Sequence, residues 1–109
     1  MTAGNFTAFD ESNFNQAVLE RQGLTIVDFW SVTCAPCRRL TRILDQLRPD
    51  LPDDVLIGQV NADENSGLVE RFGVRSMPTL LFIKNGSVVE TRTGVDRRQV
   101  LKKIIETHA

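Results

Sequence analysis

The stretch from Leu24 to Val60 constrains the fold more than any other, because it reads strand, helix, strand in close succession. Leu24-Thr25-Ile26-Val27-Asp28-Phe29 is a short apolar run rich in β-branched and aromatic residues, the pattern of a strand covered on both faces. Leu40, Ile43, Leu44 and Leu47 recur at i, i+3, i+4 and i+7, which predicts an amphipathic helix that begins at Cys34 to Cys37 and ends before Pro49. Val55-Leu56-Ile57-Gly58-Gln59-Val60 then reads as a second strand. Two strands joined through a helix over roughly 35 residues form a βαβ unit, expected to be parallel and right-handed.

The flanking segments fit around that unit. Asp10 or Ser12 is placed to cap a first helix with Phe14, Ala17 and Val18 on one face, ended by Gly23. Asp63 or Asn65 can start a short helix carrying Leu68, Val69 and Phe72, with Gly73 at its C-terminal turn. Thr79–Lys84 and Ser87–Thr91 are strand-like and separated by Asn85-Gly86, the preferred dipeptide of a type I′ turn, so they predict an antiparallel hairpin. Asp96 followed by Gln99 resembles a capping box for a last helix whose apolar face is Val100, Leu101, Ile104 and Ile105. The expected architecture is α/β, a mixed sheet flanked by helices. With no internal repeat or linker in 109 residues, one domain spanning 1–109 is expected.

Charge and hydropathy exclude some functions. A net charge of −1 gives no basic excess to hold nucleic acid. The segment from Met1 to Phe6 is neither basic nor apolar, and no run approaches the roughly 20 apolar residues that cross a bilayer. The expectation is a soluble, non-exported, cytoplasmic protein with no membrane partner.

Cys34 and Cys37 are the only cysteines, too few for a disulfide framework. Two thiols at this spacing can close a small ring and reopen it, passing two electrons. The same spacing is half of many zinc and iron–sulfur sites, but four ligands are needed and the only histidine, His108, is penultimate. An inert structural disulfide would restrain little chain entropy. At the helix start, unpaired N–H groups and the macrodipole stabilise a thiolate, which makes Cys34 the attacking group and Cys37, one turn inside, the resolving one. Pro36 suits the first helical turn, where a missing N–H is no loss. Asp28 is an acid in an apolar strand, where an unpaired charge costs several kcal/mol. It must be functional, paired, or able to reach solvent at the strand end.

Val27-Asp28-Phe29-Trp30, Cys34-Ala35-Pro36-Cys37, Val60-Asn61-Ala62-Asp63, Gly73-Val74-Arg75-Ser76-Met77-Pro78-Thr79-Leu80, Lys84-Asn85-Gly86 and Gly94 occur in an order that resembles the thioredoxin family over nearly the whole chain. The resemblance implies a four- or five-stranded thioredoxin fold with about four helices and the cysteines at the sheet edge. It implies that Asp28 accepts and donates the proton of Cys37. It also implies that the Met77-Pro78 bond is cis and that the adjacent backbone pairs with an extended substrate segment. Trp30 and Gly94 would complete the contact surface, the indole as a flat apolar contact and the glycine as a point of close approach; the plainer alternatives are a core residue and a turn residue. No bound cofactor is expected. The implied partners are disulfide-containing target proteins and a thioredoxin reductase or equivalent electron donor, with the chain itself a monomer.

The sequence departs from the family around the cysteines. Thr33 stands where the family has a second tryptophan, and Ala35 where it has glycine, so the apolar contact area offered to partners is smaller. Arg42 replaces a helix-kinking proline, and Gln59 a lysine near the buried acid. Arg38, Arg39 and Arg42 either lower the Cys34 pKa, to about 7 or below, or form a solvated basic face. The reading is a thiol–disulfide oxidoreductase acting as a protein disulfide reductase. A more oxidising oxidase or isomerase, or a redox-independent interaction module, are the alternatives.

Overall fold

The computed structural model describes residues 6–109, so the reading of the first five residues lies outside the described part. Its centre is one five-stranded sheet in the order β1-β3-β2-β4-β5, built from β1 Thr7–Phe9, β2 Leu24–Trp30, β3 Leu56–Asn61, β4 Thr79–Lys84 and β5 Ser87–Thr93. β2 and β3 are parallel and joined through helix α1, Ala35–Leu47, the unit expected from their spacing. β4 lies antiparallel to both β2 and β5. The hairpin turns through Asn85 at φ 50° and Gly86 at φ 84°, the paired positive values that a type I′ turn requires.

All seven residues of β2 are buried, which explains its unbroken apolar run. Helices α1 and α3, Arg98–His108, cover one face, where Leu40, Leu44, Leu47, Leu101 and Ile105 meet Leu24, Ile26, Leu80 and Phe82. The other face packs Val27, Phe29, Val60 and Leu81 against Phe14, Val18 and Leu68, the last from α2, Ser66–Arg71.

Three local expectations give way to tertiary contacts. β1 was not foreseen: three residues are too short for a period, and this strand is specified by its parallel pairing with Gly58 to Val60. A Cβ on Gly58 would lie 2.2 Å from the Phe9 ring and 2.8 Å from the Thr7 carbonyl oxygen, so glycine there lets β1 approach. The expected first helix is a five-residue π-helical turn, Asn15–Leu19, without a side-chain cap. Asp10 instead closes the preceding turn by accepting from the Ser12 and Asn13 amides at 2.8 and 3.0 Å. Asp96 does not cap α3, whose N-cap is Arg97; it accepts from Arg92 Nε at 2.9 Å. A bidentate charged partner outcompetes a backbone amide. Among the described residues no helix is long and apolar enough to cross a membrane.

Candidate active site

β2 ends at Trp30, and the loop that follows delivers Cys34 to the N-terminus of α1. Cys34 is the N-cap residue, extended at φ −105° and ψ 100°, and its Sγ accepts from the Cys37 amide at 3.1 Å. The first turn of α1 holds Pro36 and no acidic side chain. Cys34 and Cys37 are disulfide-bonded, with Cα atoms 5.3 Å apart. Their environments differ: Cys34 is half-buried, whereas Cys37 is 2% exposed. The first cysteine keeps accessible surface and the second almost none, the asymmetry that sequential exchange uses.

Asp28 is 0% exposed, on the sheet face that α1 covers. Burial pushes its pKa up from 3.8 to about 7, opposed by a hydrogen bond from Gln59. The strand-end escape to solvent is therefore closed. Gln59 is its register partner on β3, and Gln59 Nε2 donates to Asp28 Oδ2 at 3.3 Å and to Thr41 Oγ1 at 3.3 Å. Thr41 Oγ1 donates in turn to the Cys37 carbonyl at 3.0 Å. Sequence reasoning noted Gln59 but passed over Thr41, whose one signal is its i+4 spacing from Cys37 beside the apolar stripe.

The remaining expected residues surround this centre. Trp30 is 8% exposed and, with Gln59, lines a cleft of about 240 Å³ at the β1 side of the sheet. Thr33 and Ala35 are exposed on either side of Cys34, next to Val32, the most exposed large apolar side chain among the described residues. Ser31, also missed, ties this loop down: its hydroxyl donates to Asp63 Oδ2 at 2.9 Å and lies 3.3 Å from Thr33 Oγ1. The Met77–Pro78 peptide bond is cis; Met77 is half-buried and Pro78 buried. Gly94, at φ 89°, donates its amide to the Pro78 carbonyl at 2.9 Å, so the end of β5 and the start of β4 are brought together. Arg38, Arg39 and Arg42 all face solvent on α1 and form no ion pair among the described residues.

A half-buried and a buried cysteine at the start of a crossover helix, tied by a hydrogen-bond chain to a buried acid, define a protein of dithiol–disulfide exchange. The thioredoxin family model matches residues 5–107. The thioredoxin of Chlorobaculum thiosulfatiphilum is 34% identical over 106 residues, covering 97% of this chain and 98% of the relative. That of Haemophilus influenzae is 37% identical over 99 residues, covering 91% and 92%, and thioredoxin 1 of Synechococcus elongatus is 35% identical over 101 residues, covering 93% and 94%. The chain belongs to the thioredoxin family, has its mixed-sheet fold, and is a thiol–disulfide oxidoreductase. Membership implies disulfide-containing substrates and a reductase partner in general terms.

Proposed function

We propose that the chain works as a protein disulfide reductase, one monomeric domain of a reducing compartment such as the cytoplasm, recharged by a thioredoxin reductase or an equivalent dithiol donor. The observation that carries this reading is the unequal burial of the two cysteines, with the buried Asp28 linked through Gln59 and Thr41 to the Cys37 carbonyl. In the reduced protein the Cys34 thiolate attacks one sulfur of a target disulfide; a mixed disulfide forms and the target's other sulfur leaves as a thiolate, which takes up a proton. Asp28 carboxylate then accepts the Cys37 proton, the Cys37 thiolate attacks Cys34 Sγ, and the second target sulfur leaves and is protonated. Two electrons pass to the target and the disulfide described here is the product. Trp30, Thr33, Ala35, Pro36, Met77, Pro78 and Gly94 form the surface on which the target segment lies, a role supported by their placement around Cys34 and at the adjoining ends of β4 and β5.

A Cys37→Ser variant tests the order of events. It should accumulate stable mixed disulfides between Cys34 and target proteins, whereas Cys34→Ser should accumulate none. Equal trapping by both variants, or by neither, would overturn the assignment.

A further inference from the structure

We propose that Gln59 and Thr41 are positioning residues for the exchange reaction, joining the carboxyl of Asp28 to the backbone of Cys37 through one buried hydrogen-bond chain. This deepens the proposed function and rests on Asp28 serving as the proton partner of Cys37. Thr41 has one hydroxyl proton, and it is committed to the Cys37 carbonyl at 3.0 Å. Towards Gln59, therefore, Thr41 can only accept. That requirement fixes the amide with Nε2 facing both Thr41 and Asp28, each at 3.3 Å, because the reversed amide would set its carbonyl oxygen against a Thr41 oxygen with no proton to give and, once Asp28 is ionised, against its carboxylate as well. Both protons of Nε2 are then used.

The two atoms left over are informative. Among the described residues, Asp28 Oδ1 and Gln59 Oε1 are the buried side-chain polar atoms without a hydrogen-bond partner. A fold that only needed a filled core would not hold these orphans, since each costs free energy. With Oδ2 occupied by Gln59, Oδ1 is the oxygen open to a proton. Thr41 thus sets the amide, the amide sets which carboxyl oxygen is free, and the other end of the chain holds the backbone of Cys37.

Few other groups compete for Asp28. β3 presents Gln59, β4 presents Leu80 in register, and α1 presents Thr41 and, one turn before it, Cys37, which titrates only in the reduced protein. Arg92 on β5 lies in register with Leu80 on the same face but is paired with Asp96 and Glu90, and α3 brings Leu101 and Ile105. Burial and the Gln59 hydrogen bond are the causes that act on Asp28; no neighbouring charge does.

The test is a side-chain carbon NMR titration of Asp28 in the oxidised protein, paired with the pH profile of protein-disulfide reduction. Gln59→Leu should raise the Asp28 midpoint by about one pH unit, the size of one lost hydrogen bond to a charged group. Thr41→Val should move it in the same direction by less, and Thr41→Ser should restore it; Thr41→Ala serves if valine disturbs α1. A midpoint unmoved by loss of the hydroxyl, even with lowered stability, or moved as far by serine as by valine, overturns the proposal. A midpoint that moves as expected while the rate profile stays put upholds the chain of hydrogen bonds and instead removes Asp28 from the proton step.

Discussion

The two faces of the sheet are built from the same kinds of apolar residue, yet only one carries a buried acid and amide at its centre; the polar residues buried on the other are the threonines Thr25 and Thr79. On the α2 face, Val27, Phe29, Val60 and Leu81 meet Phe14, Val18 and Leu68 in an apolar cluster. On the α1 face, Leu24, Ile26, Leu80 and Phe82 form a comparable cluster with the helices, but Asp28, Gln59 and Thr41 sit among them, each at most 5% exposed. Replacing that chain by well-packed hydrocarbon would remove a desolvation cost and the two orphaned atoms. The difference teaches that one face gives up some stability to hold a titratable acid close to the helix that carries the cysteines.

The sharpest way to break this comparison is to mutate each face and follow stability with pH. Phe29→Ala empties the centre of the apolar face, where Phe29 is 0% exposed. It should cost about 3–5 kcal/mol in urea denaturation, equally in mildly acidic and mildly alkaline buffer, because no titrating group is involved. A loss that changes with pH would show that the two faces are not independent.

Asp28→Asn should act in the opposite direction. The folded pKa of Asp28 is raised from 3.8 to about 7, so between those values the native protein holds a proton that the unfolded chain has released. Stability therefore falls as pH climbs through this window, and above about pH 7 the full cost is about 4 kcal/mol. The asparagine variant should gain up to about that amount in alkaline buffer and nothing below about pH 4, while disulfide reduction slows on the order of tenfold or more. A variant that is no more stable in alkaline buffer would mean that the buried carboxylate is not a cost, and an unchanged rate would remove it from the reaction.

Asp28 was legible in the sequence because an acid inside an apolar run contradicts its surroundings, and the cysteine pair because its spacing and the helical stripe after it are local. The βαβ unit and the Asn85-Gly86 hairpin were legible for the same reason: period and turn chemistry are written in adjacent residues. What could not be read depends on partners far along the chain. Thr41 meets Gln59, 18 residues away, only because β3 pairs with β2 and α1 crosses above them. β1 exists because Gly58 leaves room for it, and Asp96 leaves its expected cap for Arg92. The role of Thr33 is intermediate: its departure from the family pattern was plain, but its proximity to Ser31, itself bonded to Asp63, was not.

The smallest expected effect sharpens the comparison by its sign. Arg92 and Asp96 lie at the rim of the α1 face with side chains 37% and 23% exposed, and the hydrogen bond from Arg92 holds the Asp96 carboxyl below its ordinary pKa. A carboxyl lowered in this way contributes stability above its unfolded pKa and loses it as pH falls through the folded value, the reverse of Asp28. Because the pair is solvated, that contribution is a small fraction of the Asp28 effect and is screened by salt. In an Asp28→Asn background, stability should accordingly stop falling between about pH 4 and pH 7, leaving a shallow decline only towards acid. Adding Asp96→Asn should reduce that acid decline at low ionic strength and change little at about 1 M salt. If stability of the Asp28→Asn protein still fell on raising the pH to neutrality, a second raised group would have to exist, and the division between one face without a titrating group and one built around a single buried acid would fail.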